Sequence, residues 1–267
     1  MGETIAHYDN IRVEAEDKVW TIVLDRDGQR NALNADMCQQ IAGTIADASA
    51  RAEASDEVRV VVIRGEGKAF CAGADLGSTK AEEGNHSSGV YGGNFHESLW
   101  AMLQAIVNAK LLVVAHVQGP AIGAGSQLSL ACDLRVVGER AWFGVPAASL
   151  GFALDAWTIN RAKDLLGGAG ARNILLGAQR VTADQSVNSG LALAKASDEE
   201  AEEIIGGLAG LAPMAVASLK SVLNSYDSEY ALSPAQQSAY DACWASEDAE
   251  EAKRARKEKR PANFKRR

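Results

Sequence analysis

Apolar and polar residues alternate in two short runs near the start of the chain, Ile11 to Glu16 and Val19 to Leu24, either side of Asp17-Lys18. A period of two around a polar turn predicts a β-hairpin. After the polar stretch Gln29 to Asn34, residues Met37, Ile41, Ile45 and Ala48 fall at helical spacing. They predict a helix from about Ala35 to Ala52, with Asn34 as its cap. Val58 to Ile63 and Leu111 to Val117 are largely apolar and β-branched, which reads as buried strands. Between them Phe95, Leu99, Met102, Leu103 and Ile106 mark an amphipathic helix. Asp133 to Val137 reads as one more strand, and Ala141 to Pro146 follows it.

Gly151 to Thr158 leads into helical segments that reach about Leu176. Gln179 to Ala183 reads as a turn, with a helix from Ala183 to near Gly190. From Asp198 to Glu258 the pattern is helical, broken at Pro213 and Pro234. Strand–helix alternation followed by helices alone predicts an α/β body, residues 1–195, and a helical C-terminal region, residues 196–267. Gly77 to Gly93 has no periodicity and is rich in Gly, Ser, Asn and Glu. Its length suits either a mobile binding loop or a tolerated insertion.

Composition narrows the class. The chain has 267 residues, 47% hydrophobic and 23% charged, enough for one large domain with a helical appendage. No apolar run approaches the roughly 20 residues of a membrane helix, and Met1 to Asn10 does not read as a signal peptide. Cys38, Cys71, Cys132 and Cys243 form no C-x-x-C pair, so they read as reduced thiols of a cytoplasmic protein, with no metal expected. Residues 253–267 hold nine Lys/Arg against one Glu, a local +8; the whole chain carries −8, so the rest carries −16. An acidic body and a tail with Phe264 as its one aromatic argue against nucleic acid as the partner.

Two stretches carry the candidate chemistry. After the Leu111–Val117 run comes Gly119-Pro120-Ala121-Ile122-Gly123-Ala124-Gly125, and then a helix-like stretch with Leu128 and Leu130. A helix start on a glycine turn leaves free backbone N–H groups at the positive end of the dipole, which suit a developing negative charge. Close packing alone is the other use of such a turn. The earlier stretch, Phe70-Cys71-Ala72-Gly73-Ala74-Asp75-Leu76, follows a strand and the turn Gly65 to Lys68, and Ala74 is expected to begin a short helix. Cys71 has no base beside it and reads as a small buried residue.

Together these stretches resemble the crotonase (enoyl-CoA hydratase/isomerase) superfamily, over nearly the whole chain from Arg30-Asn31-Ala32-Leu33-Asn34 to Lys259-Arg260-Pro261-Ala262-Asn263-Phe264. The resemblance implies an α/β fold of ββα units wound into a spiral, with C-terminal helices that build a homotrimer or hexamer. It implies an acyl-CoA or enoyl-CoA ligand whose thioester carbonyl sits between the backbone N–H groups of Ala74 and Ala124, an oxyanion hole for an enolate. The CoA thioester is the ligand itself, and no further cofactor is implied. Carried over by position, Arg30, Ala32 and Leu33 would lie along the nucleotide, with Ala72, Asp75 and Leu76 near the adenine and pantetheine. Lys259 and Phe264 would reach the phosphates and adenine, of this or a neighbouring subunit.

The main departure from the family pattern concerns proton transfer. Hydratases of this family use two glutamates around one water, and here Gln127 and Ala147 occupy those positions. An amide has no basic site near neutral pH and a methyl group has no site at all. Asp155, in Leu154-Asp155-Ala156-Trp157, falls where dienoyl-CoA isomerases and a chlorobenzoyl-thioester dehalogenase carry a catalytic Asp. Its other reading is a cap for the helix at Ala156 or a partner for Gln127, itself readable as a satisfied buried amide. The dehalogenase also needs a His where this chain has Trp100, with His96 one turn away, which argues against that reaction. The motifs G-P-A-I-G-A-G-x-Q-L and G-x-A-L-D-x-W look like an actinobacterial subgroup tied to long-chain lipid metabolism, for which acyl-CoA binding or delivery is implied. A double-bond isomerase using Asp155 as its single base, a weak hydratase and an interaction module are the alternatives.

Overall fold

The predicted hairpin pairs in register from Ile11 opposite Leu24 to Glu16 opposite Val19, and Asp17 takes the left-handed φ of 51° that the tight turn requires. In the computed structural model described here, residues 2–267 are described except 76–92, 151–153, 226–233, 236–237, 239–241 and 243–245. The strands are β1 (Glu3–His7), β2 (Ile11–Glu16), β3 (Val19–Leu24), β4 (Val60–Gly65), β5 (Leu112–Val117), β6 (Pro120–Ile122), β7 (Leu134–Val137), β8 (Trp142–Gly144), β9 (Val181–Thr182) and β10 (Ala194–Lys195). One sheet runs in the order β1-β2-β3-β4-β5-β7-β10 and a smaller one in the order β6-β8-β9. The large sheet is antiparallel through β3 and parallel from β3 to β10.

The helices are α1 (Ala35–Ser55), α2 (Gly93–Asn108), α3 (Ala124–Ala131), α4 (Ala147–Leu150), α5 (Ala156–Leu175, bent at Gly167), α6 (Ala183–Asn188), α7 (Asp198–Ala209), α8 (Pro213–Leu223) and α9 (Glu247–Glu258). Asn34 caps α1 as expected, its side chain accepting from Met37 N–H at 2.8 Å. The period of two sorts β4 between faces. Val61 and Ile63 join the core that includes residues of α1 and α2, whereas Val60 and Val62 pack with Ala201 and Ile205 of α7. Burial on both faces explains why β4 and β5 read as unbroken apolar runs. Among the described residues no single helix is long and apolar enough to cross a membrane.

Several expectations need correction. Ala74 does not begin a helix; it forms an isolated parallel bridge with Leu33. Part of the glycine stretch, Pro120–Ile122, is strand β6, and part of the Gln179–Ala183 turn is strand β9. Strands this short leave too little sequence for a period to emerge, and they form only because the chain elsewhere presents a matching edge. Gly77 to Gly92, Leu76 and Cys243 lie outside the described residues.

The basic tail folds back on α9. Asp248 accepts from the backbone N–H groups of Lys265 and Arg266, and Glu251 accepts from Asn263 N–H at 3.0 Å and from Arg260 at 2.6 Å. These bonds hold the Glu251 carboxyl well below the usual carboxylate range, Arg260 contributing most. A folded-state pKa below the unfolded one adds stability above the ordinary carboxylate range, and that stability is lost as pH falls through it. The tail should therefore release in acid. Hydrogen exchange at Asn263, corrected for its intrinsic pH dependence, should quicken as the pH drops below that range. Glu251→Gln should quicken it already at neutral pH.

Candidate functional site

The loops that leave the carboxyl ends of β4 and β5 build the site, the usual location for a ligand on a parallel sheet. Residues 71–75 run as a central rail. Leu33 N–H donates to Gly73 C=O and Asp75 N–H to Leu33 C=O on one side; Cys71 N–H donates to Pro120 C=O and Ile122 N–H to Cys71 C=O on the other. In this ladder the Ala74 N–H is not spent on residue 33, since extended backbone alternates the direction of its donors. Gly123 N–H donates to Gly144 C=O, which ties β6 to β8, and Ala124 then opens α3 with an N–H that has no intrahelical partner.

Glycine is what lets the two rails meet. Gly73 has φ +104° and Gly123 φ +53°, and a Cβ built on Gly73 would lie 2.9 Å from Ile122 O and 3.7 Å from Ala124 N. One residue into the helix, a Cβ on Gly125 would strike the Cys71 carbonyl. Ser126 lies buried beneath, its Oγ 2.7 Å from Ala121 O and 3.0 Å from Gly144 O. At the far end of α3 two buried arginines complement the helix dipole. Arg135 donates to the carbonyls of Ser129 and Cys132, and Arg161 to that of Leu130.

These elements enclose a cavity of about 380 Å³. Ala72, Ala74, Ala124 and Gln127 line it, together with Phe95, Leu99, Trp100 and Leu103 of α2, and Val145, Ala147, Leu150 and Leu154 opposite. Among its described lining residues the titratable side chains are His96 and Asp155. Asp155 caps α5: its Oδ1 accepts from Thr158 N–H at 2.8 Å and its Oδ2 from the Thr158 hydroxyl at 2.6 Å. Gln127 Nε2 donates to Thr158 Oγ1 at 2.8 Å and lies 3.5 Å from Asp155 Oδ2. Both bland readings of Asp155, as a cap and as a partner of Gln127, are present in the geometry. Gln127 is only half the satisfied amide expected of it, because its Oε1 makes no hydrogen bond among the described residues.

The structure brings most of the expected ligand-contacting residues together. Arg30, Ala32 and Leu33 run beside Ala72 and Asp75, with Ala72 N–H donating to Arg30 C=O. Arg30 is exposed, but the Leu33 side chain is fully buried, so Leu33 can meet a ligand only through its backbone. Asp75 is engaged by Arg26, whose guanidinium is 2.9 Å from its carboxylate and 2.6 Å from Ala32 O. Lys259 and Phe264 are not brought to this site within one subunit. The Phe264 carbonyl accepts from Arg59, just before β4, whereas the site lies past the far end of that strand, about 20 Å along it. Cys71 is buried as expected, and burial pushes its thiol up to about 12.

Four contributing residues were assigned no role of their own from the sequence. Thr158, fully buried, joins Gln127 to Asp155. Trp100 and Trp157 meet edge to face at 5.9 Å and link α2 to the start of α5. Arg26 fixes the rail at Asp75. Trp157 had a signal in its place beside Asp155 in the L-D-x-W stretch and Trp100 in its place one turn from His96, whereas Thr158 and Arg26 had none.

The chain matches the family model described as Enoyl-CoA hydratase/isomerase over residues 14–267. It is 36% identical over 254 residues to the Mycobacterium leprae protein named "Probable enoyl-CoA hydratase echA6", covering 95% of this chain and 98% of that one. It is 29% identical over 226 residues to the peroxisomal Delta(3,5)-Delta(2,4)-dienoyl-CoA isomerase of Arabidopsis thaliana, covering 80% of each. Among solved structures, an enoyl-CoA hydratase/carnithine racemase from Magnetospirillum magneticum superposes with a TM-score of 0.86 at 25% identity, covering 99% of both chains.

The glycine crossing gives a direct test. Gly73→Ala should destabilise the fold by about 1–3 kcal/mol, because an L side chain there meets both the left-handed φ and the Ile122 carbonyl. Denaturant melts read the loss. An unchanged midpoint would mean that the rails do not depend on their contact at Gly73.

Proposed function

This chain belongs to the enoyl-CoA hydratase/isomerase family, and we propose that it binds fatty acyl-CoA thioesters in an oxyanion hole made by the Ala74 and Ala124 N–H groups while hydrating enoyl-CoA weakly or not at all. The observation that carries this reading is the pairing of a glycine-built donor crossing with Gln127 and Ala147 on the cavity wall. Hydration needs a group that takes a proton from water and one that protonates Cα. Neither an amide nor a methyl group does that work. The apolar wall of Phe95, Leu99, Leu103 and Leu154 suits an acyl chain.

The reading includes assembly and location. Leu219 and Leu223 on α8 are 65% and 79% exposed, apolar surface that a trimer or hexamer of this chain would cover. In such an assembly Lys259 and Phe264, remote from the site of their own subunit, would serve a neighbour's CoA. The protein would work in the cytoplasm, in lipid metabolism as an acyl-CoA binder or carrier.

A specific observation favours a second reading. Asp155 borders the cavity and is exposed there, and a carboxylate has lone pairs beyond those used by Thr158. A double-bond isomerase needs one base to shuttle a proton while the oxyanion hole holds the enolate.

The test is to mix the protein with a trans-2-enoyl-CoA, follow the conjugated thioester absorbance, and titrate a saturated acyl-CoA calorimetrically alongside. Saturable binding is expected, with hydration at least about 10²-fold below that of a two-glutamate hydratase. Rapid hydration, or no binding, overturns the first reading. Conversion of a 3-enoyl-CoA to its conjugated isomer, lost at least about 10²-fold in Asp155→Asn, would establish the second. Asn caps a helix as well as Asp does, so that variant removes the base and keeps the cap.

A further inference from the structure

The direction of the hydrogen bonds around Thr158 fixes what the cavity offers its ligand. A carboxylate only accepts, so the 2.6 Å contact to Asp155 Oδ2 uses the single hydroxyl proton of Thr158. Thr158 Oγ1 can then only accept from Gln127, 2.8 Å away, and Gln127 must turn its –NH₂ toward it. The amide oxygen is thereby aimed the other way. Gln127 lines the cavity, and its Oε1 neither has a partner among the described residues nor is sealed from solvent. The cavity thus presents two backbone donors at Ala74 and Ala124, and one fixed acceptor at Gln127.

The spacing says which ligand atom meets that acceptor. Ala124 and Gln127 stand three residues apart on one face of α3, so their Cβ atoms lie about 5–6 Å apart. A thioester oxygen held by the Ala124 N–H puts C3 of the acyl chain two bonds beyond the carbonyl carbon, beside Gln127. We propose that Gln127 Oε1 selects acyl thioesters that carry a hydrogen-bond donor on C3, the 3-hydroxyacyl-CoAs, over saturated, 2-enoyl and 3-keto thioesters. This rests on the reading that the cavity holds acyl-CoA. A 3-keto group would set a second acceptor against the amide oxygen and leave both unpaired. Saturated and 2-enoyl chains bring no donor at all. Thr158 acts as a positioning residue, since without its hydroxyl the Gln127 amide is free to turn.

Calorimetric titration tests this with saturated, 3-keto and separately each 3-hydroxy enantiomer of one acyl-CoA chain length. In the wild-type protein one hydroxy enantiomer should bind about five- to tenfold tighter than the saturated ligand, with the 3-keto ligand weakest. Gln127→Met should bring the ligands to equal affinity, and Thr158→Val should narrow the preference although it touches no ligand. Equal affinities in the wild-type protein, or a preference that survives Gln127→Met, overturn the proposal while leaving the acyl-CoA reading in place. Failure of every thioester to bind overturns that reading and the proposal together. Should Gln127→Met fail to fold, the wild-type comparison decides alone.

Discussion

The site depends on two pieces of backbone passing closer than side chains permit. Gly73 and Gly123 face each other with positive φ, and Gly125 rides over the Cys71 carbonyl. On the proposed reading, this close approach aims two donors from separate loops, the Ala74 and Ala124 N–H groups, at one point. A single helix N-terminus offers several N–H groups, but they diverge with the helical turn; a second rail supplies a donor from another direction. Left-handed φ at a residue with a side chain costs on the order of 1–3 kcal/mol, a large part of a stability of about 5–15 kcal/mol, so glycine is required here.

A crossing held only by its own contact would relax, and the surrounding structure prevents that. The rail at 71–75 is bonded on both sides, to Leu33 and to Pro120–Ile122, and Arg26 anchors it at Asp75. Ser126 ties β6 and β8 together under the helix start. At the other end of α3, Arg135 and Arg161 satisfy carbonyls that would otherwise be orphaned in the core. Favourable charge at a helix C-terminus contributes about 0.3–1 kcal/mol at exposed sites and more where burial limits screening. The donors are therefore preorganised by bonds a ligand does not have to make.

Elements with enough length for a period were legible in the sequence. The hairpin, the capped helix α1 and the apolar strands β4 and β5 each repeat their pattern over several residues. The three-residue strands β6 and β8 have no period to read, and exist because Cys71 and Val181 present matching edges. The proposed backbone donors at Ala74 and Ala124 could be named only through the family pattern around them, since alanine carries no chemistry of its own. The position of Lys259 and Phe264 was beyond reach, because folding of the tail onto Asp248 and Glu251 turns on contacts between segments with no periodic relation. Gln127 illustrates the remaining gap. Its identity excludes a base, but the direction of its amide depends on Thr158, which is 31 residues away in sequence.

An oxyanion hole without the two hydratase glutamates, as proposed for this chain, would accomplish something different. Donors aimed at a thioester oxygen stabilise an enolate more than a ground-state carbonyl, and that difference accelerates a reaction only if the enolate can form. Enolate formation needs a base that removes a proton or a nucleophile that adds. On the proposed reading, with an amide at 127 and a methyl at 147, the same donors would contribute to binding the resting thioester, and the Gln127 oxygen would add a requirement for a donor on the acyl chain. One geometry thus serves catalysis or recognition according to two side chains. On the proposed reading both of them, in this chain, lie on the side of recognition.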